Sequence, residues 1–168
     1  DLKLDVIIIE VGIGGLHDVT NVLNYDLSLI TNIGHDHLDK LGGNLDSVLI
    51  NKLGIFKENG NLVTTIDKVY HDEIKNYCQN KNAKLSIINE TDYFKLGNNY
   101  LTFKYDDYFY QLRMIGDYQI KNALLSFVGL KTIFDLDYRT IFDALFETFK
   151  LGRMDLLSKK PLIMIDGA

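Results

Sequence analysis

A single carboxylate stands between a short apolar run and a group of glycines near the start of the chain. Residues 6–10 read VIIIE, and Gly12, Gly14 and Gly15 follow Glu10. Because a near-continuous β-branched run is typical of a strand covered on both faces, this run predicts a buried parallel strand that ends at Glu10. Ligands of open α/β sheets bind outside the carboxyl ends of the strands, and carboxylate oxygens suit a hard cation. The pattern therefore predicts Glu10 as a magnesium ligand, with an ordinary surface glutamate as the alternative.

A second group of candidate ligands lies in the segment HDHLDKLGG, which contains His35, His37 and Asp39. This segment resembles the HxHxDHxGG motif of metallo-β-lactamase-like hydrolases, whose histidines hold zinc. The motif requires a histidine where the chain has Lys40, and a cation there would oppose the binding of a second zinc ion. Only two of the four histidines lie elsewhere, which is few for a dinuclear histidine site. A zinc site on these three residues remains an alternative, beside ordinary hydrogen bonding by loop histidines.

Two common glycine-rich nucleotide motifs are absent from the chain. A dinucleotide fingerprint GxGxxG that starts at Gly12 would need glycine where the chain has His17, and GxxxxGK[ST] does not occur. The sequence therefore excludes NAD binding at this loop, and no P-loop lies within these 168 residues.

The composition narrows the classes of protein further. A formal net charge of −5 argues against nonspecific nucleic-acid binding through a broad positive field. The single cysteine, Cys78, excludes an internal disulfide and fits a reducing compartment. The apolar runs are of strand length, so neither a membrane span nor a signal peptide is expected. These features predict a soluble cytoplasmic protein with no nucleic-acid or membrane partner.

The elements that must position these residues alternate between strands and helices in the first part of the chain. Asn44 is a reasonable N-cap for the first of the helices. The apolar pattern predicts strands at residues 27–33, 62–66 and 84–88 and helices at residues 45–56 and 69–81. Such alternation predicts an α/β fold with a mainly parallel layered sheet and flanking helices.

The pattern changes in the second part of the chain. Two alternating aromatic runs, 100–105 and 108–113, are joined by two aspartates and predict an antiparallel β-hairpin at the edge of the sheet. Aromatic packing explains its tyrosines better than a base-stacking platform does. Asp117 is expected to cap a helix over 118–134, and a further helix is predicted over 138–149. Residues 151–158 and 161–167 predict two final strands.

Six segments, in order along the whole chain, resemble one family. They are EVGIGGLHDVTN, TNIGHDHLDKLG, NKLGIFK, GDYQIKNALLSF, LGRMDLL and the terminal IDGA. They are similar to EVGxGGRxDATN, TxIGxDHxxxLG, EKAGIxK, GxHQxxNAxxA, PGRxE and the front of DGAHN in the folylpolyglutamate synthase and dihydrofolate synthase family, within the Mur ligase superfamily. Each match alone is weak, whereas six in the right order are specific. The spelling HDHLD also resembles the peptidoglycan Mur ligases, which remain the near alternative.

The resemblance implies an ATP-dependent carboxylate–amine ligase that adds L-glutamate to a folate or to dihydropteroate through an acyl phosphate. It also implies that residues 1–168 are part of a central, P-loop-like ATP-binding domain. The family's N-terminal P-loop segment and C-terminal domain would then lie outside this chain. A piece of this kind is expected to be inactive alone, and the full-length enzyme is expected to be a monomer.

The resemblance also implies roles for nine residues. Glu10 and His37 would bind magnesium, and Lys52 would be carried as a carbamate that supplies further oxygen ligands, because an ammonium group repels Mg²⁺. These three residues are the expected catalytic and metal-binding set. On the nucleotide, Asn122 would face the adenine, Arg153 the phosphates and Asp166 the ribose hydroxyls. The residues on the substrate side would be Asp18, Thr20 and Asn21.

Overall fold

A three-stranded parallel sheet forms the centre of the computed structural model, which describes residues 3–96 and 101–167. Its strands are β1 (Leu27–Ile30), β2 (Asn61–Thr64) and β3 (Lys84–Ile87), in the order β1-β2-β3. All three pair in parallel and lie within one residue of the predicted starts, so the predicted parallel α/β sheet is confirmed. Strand β1 forms one edge of this sheet, because only β2 pairs with it in the described ranges.

Helices precede and follow these strands as the sequence predicts. Asn44 caps the second of them, since its Oδ1 accepts a hydrogen bond from the Ser47 amide at 2.8 Å. That helix ends at Leu53, before the predicted end at residue 56, because Gly54 serves as its C-cap. The α-helices of the described residues are α1 (Leu38–Leu41), α2 (Leu45–Leu53), α3 (His71–Asn80), α4 (Tyr118–Lys131) and α5 (Tyr138–Glu147). None of them combines the length and the apolar character that a membrane span requires.

An antiparallel sheet contains the predicted hairpin. Strands β4 (Tyr93–Leu96), β5 (Leu101–Tyr105) and β6 (Tyr108–Leu112) pair in that order, and Asp106 turns the hairpin at a φ of 51°. The hairpin itself is confirmed, although residue 100 of the predicted first run lies outside the described residues. Its predicted place at the edge of the parallel sheet is wrong, because it pairs with β4 in a separate sheet. Strand β4 is not predicted by the sequence pattern. A separate antiparallel pair, β7 (Asp155–Lys159) and β8 (Leu162–Ile165), confirms the two final strands.

Two groups of buried side chains hold these layers together. One lies where α4 and α5 meet the two sheets and includes Phe103, Tyr110 and Leu124. The other lies under α2 and α3 and includes Leu49 and Cys78. Cys78 is a free cysteine, and burial raises the pKa of its thiol to about 11. It is therefore a packing residue with little thiolate at neutral pH.

Two predictions about local structure are wrong. Residues 6–10 do not form a strand: their backbone has no strand pairing, and Ile8 is 90% exposed. A strand needs hydrogen bonds from a neighbouring strand, which apolar side chains alone do not supply. Asp117 occupies the N-cap position of α4 but makes no side-chain cap bond. Its backbone is already helical, whereas a capping side chain needs an extended backbone, and its carboxylate binds Lys95 Nζ at 2.5 Å instead.

Candidate active site

The side chain of Lys52 reaches the carboxyl end of β1. Its Nζ donates a hydrogen bond to the backbone oxygen of Asn32 at 2.9 Å, and Asn32 lies two residues beyond the end of that strand. The carboxylate of Asp36, in the next loop, also acts electrostatically on Lys52. A residue from α2 is thereby directed to the edge of the sheet at which α/β proteins bind ligands.

His37 lies beside the same loop. It occupies the left-handed region at a φ of 56° and precedes α1, and its backbone oxygen accepts the amides of Lys40 and Leu41. Its side chain is exposed and caps no helix amide. Since the neighbouring Asp36 interacts with Lys52, the structure brings the His37 segment and Lys52 together at the carboxyl end of β1.

Partial burial changes the ionisation of Lys52. Desolvation lowers the pKa of its amine below the ordinary value of 10.5, and the nearby Asp36 carboxylate opposes this shift. A lowered pKa increases the fraction of neutral amine near pH 7. The neutral amine is the form that reacts with electrophiles, so this lysine is better suited to covalent modification than a solvated surface lysine.

The glycine loop after Glu10 packs directly on α2. The Leu16 amide donates to the Asn51 backbone oxygen at 2.8 Å. A Cβ on Gly15 would collide with the Ile55 side chain and would lie 3.0 Å from the Asn51 oxygen, so the contact requires glycine. Glu10 itself is exposed, and no hydrogen bond or ion pair joins it to another described residue. The loop brings the chain that carries Glu10 towards the helix that carries Lys52.

Asp18 fixes the conformation of this loop. Its Oδ2 accepts the amides of Gly12 and Ile13, each at 3.1 Å. Its Oδ1 accepts the Thr20 hydroxyl at 2.6 Å and the Thr20 amide at 2.9 Å. Led by the Thr20 hydroxyl, these donors lower the pKa of Asp18 to about 2. The predicted substrate residues Asp18 and Thr20 are therefore bonded to each other and to the loop.

The loop should loosen only in strong acid, because protonation of Asp18 removes the charge that these donors stabilise. The folded-state pKa of about 2 is depressed from an ordinary value of 3.8. Anchoring by the carboxylate is therefore fully present above the unfolded-state pKa and is lost as the pH falls through about 2. An NMR titration of the Asp18 carboxyl, with amide exchange at Gly12 and Ile13, measures both effects.

A substitution of Asp18 tests the same anchoring role at neutral pH. Asp18→Asn should speed amide exchange at Gly12 and Ile13, because a carboxamide has one acceptor oxygen where the carboxylate has two. Asp72→Asn, on the exposed face of α3, is the matched control and should leave both rates unchanged. Equal protection of the two amides in Asp18→Asn would contradict the anchoring role.

Asn21 joins the loop to the end of α2. Its Nδ2 donates to the backbone oxygens of Leu16 at 2.9 Å and Gly54 at 3.1 Å. Its own backbone oxygen and its Oδ1 both accept from Lys57 Nζ at 2.8 Å. Lys57 is not among the predicted site residues, although this lysine ends the segment NKLGIFK. All three predicted substrate residues thus have internal hydrogen bonds.

The three predicted nucleotide residues lie on two neighbouring segments. Asn122 is exposed near the start of α4, and Arg153 and Asp166 flank β7 and β8. The Gly167 amide donates to the Gly152 oxygen at 2.7 Å, which brings the Arg153 and Asp166 segments together. A Cβ on Gly116, just before α4, would lie 2.9 Å from the sulfur of Met154. The end of this strand pair is therefore in contact with the start of the Asn122 helix.

A family model settles the classification of this arrangement. The Mur ligase middle domain matches residues 1–129, which include Glu10, His37, Lys52 and Asn122. The chain belongs to the Mur ligase middle-domain family.

Relatives of this Mur ligase domain cover nearly the whole chain. The dihydrofolate synthase/folylpolyglutamate synthase of Bacillus subtilis is 30% identical over 182 residues, which cover 99% of the chain and 42% of that protein. A solved complex of folylpolyglutamate synthase with AMPPCP and folate is 26% identical and has a TM-score of 0.82, with 95% and 42% of the two chains covered. A bifunctional synthase from Yersinia pestis, solved with AMPPNP and a Mn ion, is 26% identical with a TM-score of 0.79, covering 99% and 40%. The chain spans about two fifths of the length of these relatives.

The zinc site of the hydrolase alternative is not formed by the side chains of the described residues. His35, His37 and Asp39 all belong to the described residues, yet within those residues no group of three or more His, Cys, Asp or Glu side chains is arranged to hold a metal ion. Any metal site on Glu10 and His37 would therefore need oxygen ligands from another source, such as a modified Lys52 or a nucleotide phosphate.

Proposed function

We propose that the whole protein containing this chain is an ATP-dependent ligase that adds L-glutamate to a folate or to dihydropteroate. The observation that carries this proposal is the alignment of 99% of the chain with the Bacillus subtilis dihydrofolate synthase/folylpolyglutamate synthase. One solved relative contains folate and the ATP analogue AMPPCP, which supports a folate and ATP as substrates. A bifunctional relative was solved with Mn, AMPPNP and L-glutamate, which supports L-glutamate as the third substrate.

In this proposal residues 1–168 form part of a central ATP-binding domain. The family model over residues 1–129 supports the assignment. A P-loop segment and a C-terminal domain are proposed to be supplied by other parts of the whole protein, since the family's active site needs both. The whole protein is further proposed to be a cytoplasmic monomer that binds these small molecules, with no nucleic-acid or membrane partner.

Glu10, His37 and Lys52 are proposed to hold the divalent cation, which we assign as Mg²⁺. The position of Lys52 beside the His37 loop, with a lowered pKa, supports the pairing of these two residues. Reaction of the neutral amine with carbon dioxide would give a carbamate and release a proton. Its oxygens are the hard ligands that Mg²⁺ prefers, and the bound ion would neutralise charge on the phosphates.

The remaining proposed roles concern the ligands. Asn122, Arg153 and Asp166 are proposed to bind the adenine, phosphates and ribose of ATP, because a guanidinium group suits phosphate oxygens and the three segments adjoin. Asp18, Thr20 and Asn21 are proposed to shape the substrate side through the loop that they hold.

The proposed reaction has two chemical steps. A carboxylate oxygen of the folate or dihydropteroate attacks the γ-phosphorus of ATP, which forms the acyl phosphate and releases ADP. The neutral amine of L-glutamate then attacks the acyl carbon, and phosphate leaves from the tetrahedral intermediate as the amine proton is lost. Arg153 would stabilise the phosphoryl charge, and the exclusion of water would protect the acyl phosphate from hydrolysis.

A substrate panel with the whole protein tests the function. We expect one ADP and one phosphate for each L-glutamate joined, with dihydropteroate or a reduced folate as acceptor. UDP-linked muramyl acceptors are tested in the same assay. If the protein used only these acceptors, the peptidoglycan-type Mur ligase would replace this proposal. The present chain by itself is expected to bind ATP weakly or not at all.

A further inference from the structure

Gln119 and Asn122 lie one turn apart at the start of α4. The Nδ2 of Asn122 donates a hydrogen bond to the Oε1 of Gln119 at 3.1 Å. Gln119 is only 5% exposed, whereas the Asn122 side chain faces solvent. The pair therefore consists of a buried side chain that accepts and an exposed amide that donates to it.

This hydrogen bond determines which groups of Asn122 remain for a ligand. A carboxamide has one acceptor oxygen and two N–H donors, and Gln119 occupies one of the donors. In the part of the chain that the structure describes, the Asn122 Oδ1 accepts no hydrogen bond. The amide thus keeps its oxygen and one N–H for a planar ligand.

Such an amide edge distinguishes purine bases. Adenine presents an exocyclic amine beside a ring nitrogen, which match an amide oxygen and an amide N–H. Guanine carries a carbonyl oxygen in place of the amine, so two acceptors would face each other and neither would be paired. A rotation of the amide by half a turn would reverse this preference. The rotation state of Asn122 therefore decides which base fits.

We propose that Gln119 is a positioning residue that holds the Asn122 amide in the rotation state that accepts adenine and rejects guanine. This inference rests on the proposed function, which places Asn122 at the base of ATP. Gln119 touches no substrate and acts only through Asn122. A buried glutamine that served packing alone would stabilise α4 without any effect on the choice of nucleotide.

Kinetics of the whole protein with ATP and GTP test the proposal. Gln119→Met keeps the size of the side chain and removes the acceptor. We expect the KM for ATP to rise about tenfold, kcat to stay within about twofold, and the ratio of kcat/KM for ATP over GTP to fall about tenfold. As the ionised carboxylate, Gln119→Glu keeps an acceptor and has no hydrogen to donate, so it should retain the wild-type selectivity.

Two controls separate positioning from a loss of structure. Gln79→Met, on the exposed face of α3, makes the same exchange away from the site and should change neither KM nor selectivity. In an Asn122→Ala background, Gln119→Met should have no further effect on selectivity, because the orienting bond is already gone. Thermal unfolding of each variant reports the structural contribution independently.

The outcomes also distinguish this inference from the proposed function. Unchanged ATP over GTP selectivity in Gln119→Met would overturn the positioning role while ATP-dependent glutamate addition stood. Loss of selectivity in Gln119→Glu equal to that in Gln119→Met would overturn the orientation assigned to the amide. A wild-type protein that shows no ATP-dependent glutamate addition would overturn the proposed function, and direct ATP and GTP binding would then still measure the selectivity.

Discussion

Replacement of Lys52 by methionine in the whole protein is expected to lower kcat about a thousandfold with little change in stability. Methionine retains the length of the aliphatic stem but cannot form a carbamate, so oxygen ligands for the cation are lost. The loss of one preorganised electrostatic contribution to a transition state reduces turnover by about 10²–10³-fold, and a displaced cation adds to this. Steady-state glutamate addition, with thermal unfolding in parallel, measures both quantities.

Lys40→Met is the matched control, because Lys40 is an exposed lysine in α1, next to the same loop. It removes the same charge and should leave kcat within about twofold. His37→Ala should also reduce turnover by orders of magnitude and should raise the Mg²⁺ concentration needed for half-maximal activity. Normal activity in either Lys52→Met or His37→Ala would contradict the assignment of these residues to the metal site.

Leu49→Ala is expected to lower the free energy of unfolding by about 3 kcal/mol, within a range of about 2–5 kcal/mol. Leu49 is 1% exposed and packs in the cluster under α2 and α3. Truncation removes buried methyl groups and leaves a cavity, because the surrounding side chains relax only partly. Urea unfolding monitored by far-ultraviolet circular dichroism gives the difference in free energy.

The adjacent residue supplies the control for this measurement. Ile50 lies next to Leu49 on α2 but is 58% exposed. Ile50→Ala should therefore change the free energy of unfolding by no more than about 0.5 kcal/mol, since surface substitutions have small effects and alanine favours the helix. Similar losses in the two variants would show that burial in this structure does not describe the stability of α2.

The parts of the fold that are visible in the sequence are those set by neighbouring residues. Asn44 caps α2 through its own Oδ1, and the aspartate pair closes the hairpin of β5 and β6. Short-range patterns of this kind can be recognised without knowing the fold. Residues 6–10 carry a typical strand composition, yet no described strand pairs with them. Pairing is a long-range property, and it decides whether an apolar run becomes a strand.

The sequence predicts which residues form the candidate site, but not the contacts that they make with distant residues. The sequence motifs identified Lys52 and His37, and the structure brings their segments to one edge of the parallel sheet. The bonds from Lys57 to Asn21 were not visible, because they join residues far apart in the chain. Asp18, Thr20 and Asn21 were predicted as substrate residues, but the sequence does not show the hydrogen bonds that they make within the protein. Gln119 belongs to the segment GDYQIKNALLSF, but the sequence does not show that its side chain is buried and accepts a hydrogen bond from Asn122.

The unpaired side of β1 has a practical consequence. This strand ends the order β1-β2-β3 in the described residues, and elsewhere in the chain Val6, Ile7 and Ile8 expose apolar side chains. An open strand edge is a template for intermolecular pairing, and exposed β-branched residues favour association further. Purified at high concentration by itself, this polypeptide should therefore tend to aggregate through added strands. Dilute samples, or charged substitutions in that run, would keep it in solution.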